Sequence, residues 1–292
     1  MAADFRNQTL LVSGAGGHLG RIAVEELLAR GASRVIAGTR DLDALSDLAA
    51  RGAELRHVDF DAPDLALALA GVDRMLMVST GGSNRREHQR RAVQAAREAG
   101  VGHIVYTSAP NARPNESVGG IADHFWTEVE IAASGLDFTI LRNHIYADVV
   151  LDAAVPALAS GQAFDATGSN GRNYVTRADA ARTAAGALLT ATGKEVFDVT
   201  GPAPVSLEEV ARLISEFSGK AVSRVGVSGE QLSQGLQSAG VPSFMAQLLV
   251  AFDLDAAAGH HAIVTDVVER FSGRKPQELR SFLQENAVRL HG

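Results

Sequence analysis

The chain contains no cysteine. That absence alone excludes disulfides, thiolate metal sites, cysteine nucleophiles and iron–sulfur clusters. No apolar run reaches the roughly 20 residues that a membrane-spanning helix needs. The opening residues, Met1 to Gln8, are mostly polar and lead directly into a strand pattern, without the apolar core of a secretory leader. Positive charge is not in excess either: 27 Lys and Arg stand against 34 Asp and Glu, for a formal net charge of −7. An acidic surface of this kind argues against direct binding to nucleic acid or an anionic membrane, although it leaves room for a local basic pocket. A cytoplasmic protein without a membrane or nucleic-acid partner is the expectation. Internal repeats and low-complexity segments are also lacking, and the Ala-rich stretches are helix formers, not linkers.

What is present is an alternation of short apolar runs with amphipathic segments. Strand patterns cover Thr9–Val12, Arg34–Ala37, Glu54–Val58, Arg74–Val78, His103–Thr107 and Phe138–Leu141. Helical patterns fall between them, at Arg21–Arg30, Asp41–Arg51, Ala62–Ala70, Arg86–Ala99 and Val118–Ser134, and most stop at a glycine. Such an order predicts an α/β fold, a Rossmann-type doubly wound parallel sheet with right-handed crossovers. After Arg142 the regularity weakens. Pro156 and the glycines Gly161, Gly168 and Gly171 predict a loop-rich stretch, followed by a short strand at Asn173–Val175. A helix at Arg177–Leu189 and a strand at Glu195–Val199 come next. Ser206 and Glu209 have the spacing of a capping box, and the rest is helical apart from Ala221–Val227. The expected division is a nucleotide-binding domain over 1–148, to which helix 177–190 and strand 195–199 return, and a smaller, mostly helical C-terminal substrate-binding portion over 149–292.

Between the first strand and first helix lies Gly14-Ala15-Gly16-Gly17-His18-Leu19-Gly20. In a G-x-x-G-x-x-G turn the first glycine permits the tight bend. The second lets the backbone approach a pyrophosphate, and the third lets the helix pack closely. The helix start then offers free N–H groups to the phosphates. Gly14, Gly16, Gly17, His18, Leu19 and Gly20 are therefore candidates for binding a dinucleotide. The second strand runs on into Thr39 and Arg40. An acid there would accept a ribose 2′-OH, whereas a guanidinium binds a 2′-phosphate, so NADP(H) is expected ahead of NAD(H). Two further strand ends share this edge. Asp59 and Phe60 are placed to meet the adenine, and Ser79, Thr80 and Gly81 are small enough to let a ribose pass.

These residues occur together with His103-Ile-Val-Tyr-Thr-Ser108, His124-Phe-Trp-Thr-Glu128 and Ser134-Gly-Leu-Asp-Phe-Thr-Ile-Leu-Arg-Asn143. The combination resembles the NmrA-like atypical short-chain dehydrogenases/reductases, in particular type 2 NAD(P)H:quinone oxidoreductases and triphenylmethane reductases. The resemblance implies an NADP(H)-dependent oxidoreductase. It places Tyr106, Thr107 and Asn143 along the nicotinamide end, with Asn143 near the carboxamide and Tyr146 near the substrate. Thr107 and Ser108 stand where the superfamily usually has its serine.

The Tyr-x-x-x-Lys pair of ordinary members is missing, and His124 and Glu128 fill that spacing. At i and i+4 they share a helix face, and an adjacent Glu128 would raise the pKa of His124. His124, Glu128, Thr107 and Tyr146 are the catalytic candidates. His124 is either a proton donor or a structural partner of Glu128. Reducing a simple ketone leaves a basic alkoxide and calls for a positioned acid. Reducing a quinone or a cationic dye chiefly needs orientation. The expected substrate is thus a small aromatic or quinone-like molecule. Two alternatives stay open: an NmrA-type NADP(H) sensor without turnover, and a reductase of a lignin-like or other aromatic compound. A homodimer also stays open. No metal is expected, since His260-His261 has the look of a surface pair. Trp126 suggests packing. Phe244, Leu248, Leu249 and Phe252 form an apolar stripe belonging to the core or to a pocket wall.

Overall fold

The computed structural model of the protein describes residues 3–82, 84–114 and 119–291. In chain order the strands are β1 (Thr9–Val12), β2 (Arg34–Thr39), β3 (Glu54–His57), β4 (Arg74–Met77), β5 (His103–Ser108), β6 (Asp137–Asn143), β7 (Ile145–Tyr146), β8 (Gln162–Asp165), β9 (Arg172–Val175), β10 (Lys194–Val199), β11 (Pro204–Val205) and β12 (Ser223–Gly226). The helices are α1 (His18–Ala29), α2 (Ser46–Ala50), α3 (Leu65–Ala68), α4 (Arg85–Glu98), α5 (Gly119–Ala133), α6 (Asp148–Ser160), α7 (Arg177–Thr190), α8 (Leu207–Ser218), α9 (Gly229–Ser238), α10 (Ser243–Ala257), α11 (Val267–Ser272) and α12 (Leu279–Glu285).

Seven strands form one parallel sheet in the order β10-β6-β5-β4-β1-β2-β3. Chain order reverses between β1 and β4, the switch point at which sheets of this kind open a crevice beyond their strand ends. Central strands such as Leu10-Leu11-Val12 are buried on both faces, which is why they carry unbroken apolar runs instead of alternation. One face is covered by α1, α2, α7 and α11, through residues such as Val24, Leu48, Leu188 and Val268. The other is covered by α3, α4 and α5, through Leu65, Val93, Ala96 and Ile131. The pleat splits β5 accordingly: Val105 joins the first layer, and Ile104 and Tyr106 join the second. A third apolar cluster ties α6, α8 and α12 together through Leu151, Ala154, Leu213, Ile214 and Leu283.

Several expectations are corrected. The stretch after Arg142 is not loop-rich: it forms β7, the 13-residue α6 with Pro156 inside it, and β8, which pairs with β12. Pro156 lies on the exposed side of α6, so the carbonyl it leaves without a donor faces water. The helix expected over Asp41–Arg51 is a 3₁₀ turn, Asp43–Leu45, followed by the short α2. Ser206 does cap α8 by accepting from the Glu209 N–H, but the Glu209 carboxylate reaches Arg212 at 2.6 Å instead of returning to the cap. The complete capping box is at Ser228 and Gln231. The expected helix start at Val118 lies outside the described residues. Trp126 meets Phe125 edge-on and lies under the Arg86 guanidinium, 4.8 Å from its carbon. Among the described residues no helix is long and apolar enough to cross a membrane.

One buried cation joins the sheet to a helix from late in the chain. Arg74, in β4, is 5% exposed and donates to Leu188 O at 2.7 Å and Ala191 O at 2.7 Å. These are carbonyls at the end of α7, where the helix dipole favours positive charge. Phe5 stacks on the guanidinium at 4.0 Å. Burial holds the Arg74 pKa down at about 10, still charged at neutral pH. Arg74→Met keeps the stem and removes the donors, leaving these carbonyls unmet. The expected result is a loss of about 3 kcal/mol in urea unfolding; an unchanged midpoint would show that the carbonyls find other donors.

Candidate active site

A cleft of about 340 Å³ opens at the carboxyl ends of β1, β4 and β5. One wall is the β1–α1 turn, with Gly14, Gly17, His18, Leu19 and Gly20. The others are Val78 and Ser79 after β4, Thr107 in β5, and Tyr146 with Arg177.

The turn closes through two short backbone bonds, Gly17 N–H to Gly14 O and Ala15 N–H to Gly38 O, both 2.9 Å. Gly14 sits at φ +63°, a conformation that favours glycine. A Cβ on Gly20 would lie 2.8 Å from Gly14 C and 3.0 Å from Ala15 Cα, so α1 can press on the turn only with glycine there. At Gly17 an added Cβ would come 3.3 Å from Gly14 O, and at Gly16 3.2 Å from Thr39 Oγ1. No side chain caps α1, and no acid stands in its first turn. Its first N–H groups and the positive end of its dipole are left to whatever enters the cleft. Beside them, Arg40 is exposed at the tip of β2. Asp41 turns away, accepting from Ala44 N–H at 3.3 Å.

Thr107 Oγ1 accepts from Ser79 N–H at 2.9 Å, which ties the ends of β4 and β5 together. Tyr146 OH accepts from Asn143 Nδ2 at 3.0 Å. Arg177, at the start of α7, reaches His18 Nδ1 at 3.2 Å and Asp148 at 3.1 Å, and its guanidinium carbon is 5.5 Å from the Tyr146 ring centre. Burial raises the Tyr146 pKa, which keeps its phenol protonated at neutral pH. Arg177 was not apparent from the sequence. It lies 159 residues from His18, and only the return of α7 to the sheet brings the two together.

Residues 14–191 match the family model for NAD(P)H binding. The chain belongs to the NAD(P)H-binding family. This NAD(P)H-binding protein is 34% identical over 256 residues to quinone oxidoreductase 2 of Escherichia coli, covering 86% of this chain and 88% of that one. It is 27% identical over 282 residues to an NAD(P)H azoreductase of Xenophilus azovorans, covering 96% and 98%. Its fold matches that of the NADPH complex of an Escherichia coli NADPH-dependent quinone oxidoreductase, with a TM-score of 0.88, 29% identity, and coverage of 97% and 100%. Triphenylmethane reductase of Citrobacter sp. matches with a TM-score of 0.84 and 29% identity, covering 96% and 99%.

The residues present fit such a nucleotide. Besides the open helix start, two buried polar atoms in these strand-end segments have no protein partner, Asn143 Oδ1 and Thr80 Oγ1. Asp59 is part-exposed after β3 and caps its own turn by accepting from Asp61 N–H at 3.0 Å. Ser79, Thr80 and Gly81 follow β4 as a partly open loop.

Other candidates are placed elsewhere. The Phe60 ring is buried with Leu65 and Met77 in the second layer, so it does not flank an adenine. Tyr106 is fully buried, pointing away from the cleft, and its hydroxyl meets His124 Nδ1 at 2.7 Å. His124 is buried too, and its Nε2 faces Arg85 Nη1 at 3.4 Å. Glu128 does not meet His124. It takes two bonds from Arg142, at 2.6 and 3.0 Å, and one from Ser108 at 2.6 Å. The His124 pKa is therefore not raised by Glu128: burial first, and Arg85 second, push it down to about 3. A neutral, sealed imidazole is not a proton donor at pH 7. His261 is no surface residue either. It is fully buried, 5.9 Å ring to ring from both His144 and Phe252, and neither of its ring nitrogens has a partner.

Three histidines are thus held neutral by burial: His103 and His124 with pKa about 3, His261 about 4. Unfolded, each titrates near 6.5 and takes up a proton as the pH falls. Their contribution is fully present above pH 6.5 and is lost on the way down towards 4. Each costs about 1.4 kcal/mol per pH unit in that window. Urea unfolding at pH 7 and pH 5, above the main carboxylate range, should show stability falling by about 2 kcal/mol per histidine. Equal stability at both pH values would mean that these rings are accessible to protons in the folded state.

Proposed function

We propose that the protein is an NADPH-dependent reductase that delivers hydride to a quinone or a similarly conjugated electrophile. The observation that carries this reading is the fate of the Tyr-x-x-x-Lys positions. His124 is sealed behind β5 against Tyr106 and Glu128 is spent on Arg142, so neither residue at these positions supplies the cleft with an acid. A ketone reductase needs such an acid, whereas an acceptor that delocalises its own negative charge does not. When bound, the nicotinamide supplies the hydride.

The chain's own residues supply grip and orientation. The start of α1 receives the pyrophosphate, and Arg40 receives the 2′-phosphate. Asn143 Oδ1 is placed to accept from a carboxamide. Tyr146 accepts from Asn143, which leaves its own hydrogen free to donate to an acceptor oxygen as charge develops there. Arg177 and the Tyr146 ring close the side of the cleft nearest α7. In this reading the sheet together with α7 and β10 is the nucleotide-binding unit. The remaining C-terminal portion, with α10 and its Leu248 against Gly120, supplies the substrate wall. The activity belongs in the cytoplasm, and light scattering decides between a monomer and a homodimer.

The reading is tested by following NADPH absorbance against quinones, cationic dyes and enones. Turnover with quinones is expected. Tight NADPH binding without consumption by any of the three would point to a sensor instead. Arg40→Ala should weaken NADPH about tenfold and leave NADH binding unchanged, as expected for one lost charge-assisted phosphate contact. Equal losses for the two nucleotides would remove Arg40 from the 2′-phosphate.

A further inference from the structure

Thr80, in the loop after β4, has both backbone groups taken by side chains of α4. Its N–H donates to Gln89 Oε1 at 3.3 Å, and its carbonyl accepts from Arg85 Nε at 2.6 Å. Arg85 and Gln89 are one turn apart on α4, at i and i+4. They are joined a second time, beneath the loop. Gln89 Oε1 meets Tyr106 OH at 3.2 Å, the Tyr106 oxygen meets His124 Nδ1 at 2.7 Å, and His124 Nε2 meets Arg85 Nη1 at 3.4 Å. The contacts close a ring through α4, β5 and α5 that begins and ends on the same peptide segment.

The direction of every bond in the ring follows from one group. A guanidinium can only donate, so His124 Nε2 must accept from Arg85. The single proton of the neutral imidazole is then on Nδ1 and is donated to the Tyr106 oxygen. The phenol hydrogen is left to go to Gln89 Oε1, the atom that also receives Thr80 N–H. The other end of the Gln89 amide donates to Thr127 Oγ1 at 2.8 Å, and Thr127 donates in turn to Asp123 O at 2.7 Å. Each donor meets an acceptor, and reversing any one bond would set two donors against each other. Gln89 and Tyr106 are wholly buried, and His124 nearly so. A fully satisfied network of this kind, away from water, is stiff.

We propose that Arg85, Gln89, Tyr106 and His124 are positioning residues: their directed hydrogen-bond ring fixes the Thr80 backbone and thereby holds the Ser79–Thr80 segment at the edge of the cofactor cleft. The inference rests on the reading that this cleft takes the nicotinamide dinucleotide. Two observations place the segment at a ligand. Ser79 lines the cleft, and Thr80 Oγ1 is buried without a protein partner, so what the ring orients is an unfilled hydrogen-bonding group. The role explains a histidine with no route to the substrate: its work is to orient the Tyr106 phenol towards Gln89.

Gln89→Leu removes the acceptor of Thr80 N–H. Tyr106→Phe opens the ring elsewhere and leaves Gln89 in place. Gln89→Glu keeps an acceptor for both Thr80 and Tyr106. Amide hydrogen exchange on the NADPH-free protein and calorimetric titration with NADPH are measured for wild type and all three variants. In Gln89→Leu and Tyr106→Phe the Thr80 amide should exchange faster and the NADPH Kd should rise about tenfold, while protection in β1 and α1 stays as in wild type. Gln89→Glu loses the donor to Thr127 but keeps the acceptor, so it should recover Thr80 protection and affinity relative to Gln89→Leu. Unchanged Thr80 exchange and unchanged Kd in the first two variants overturns the proposal. So does a uniform loss of protection across β4 and β5, which would mark the ring as core packing. Failure of wild-type protein to bind NADPH defeats the cofactor reading instead, and the exchange measurement still decides whether the ring holds Thr80.

Discussion

The β1–α1 turn can close only because two backbones touch where a side chain would otherwise stand. Gly20 leaves no Cβ between the first turn of α1 and the Gly14–Ala15 peptide, and Gly14 takes the left-handed bend that starts the turn. The contact has three results. It aims the start of α1 at the carboxyl ends of β1 and β4. It leaves the opening N–H groups of that helix without protein partners. It also brings His18 to the place where Arg177 arrives from the far end of the sheet. The cleft, its positive edge and the way it faces the switch point all derive from that close approach.

Much of this is legible in the sequence, because the signals are local. A glycine triplet between a buried strand and a helix has one economical explanation, and continuous apolar runs closed by glycine gave the parallel sheet. Side-chain direction was less legible. Alternation along β5 sends Thr107 and Tyr106 to opposite faces, so only Thr107 lines the cleft, and a strict period-two reading of His103–Ser108 would have shown it. Pro156 reads locally as a breaker, but on the wet side of α6 it costs one bond that water replaces. His261 and Arg177 were beyond local reasoning. The burial of the first is set by His144 and Phe252, and the position of the second by a helix returning from over a hundred residues downstream. Asp255, unremarkable as a sequence position, is 6% exposed and holds Arg113 by two bonds of 2.7 and 2.8 Å, fastening α10 to the segment after β5.

The i and i+4 positions on α5 show how one spacing serves different chemistry. Two residues four apart on a helix face the same sheet edge, whatever they are. A tyrosine and a lysine there make an acid and the cation that tunes it. Here a histidine and a glutamate face the same edge and do not touch: one belongs to a neutral hydrogen-bond ring with Tyr106, the other to an ion pair with Arg142. Both assignments draw polar groups inward and stiffen the strand ends. What this scaffold gives up in acid strength it gains in a fixed cleft wall. That exchange suits a reaction in which the acceptor stabilises its own charge and the protein contributes alignment.

The first helix and the helix that covers it are far apart in the chain. Helix α1 ends at Ala29, and α7, which packs beside it in the same apolar layer, begins at Arg177. At ribosomal speeds of 5–20 residues per second, roughly 7 to 30 s pass between the emergence of one and of the other. For that interval, while β2 to β6 are still being made, the nascent chain carries an uncovered greasy stripe on α1. Ribosome-bound intermediates of this protein should therefore engage holdase chaperones until the second half is made, and a stall anywhere before α7 would leave a sticky, aggregation-prone fragment, not a small working domain.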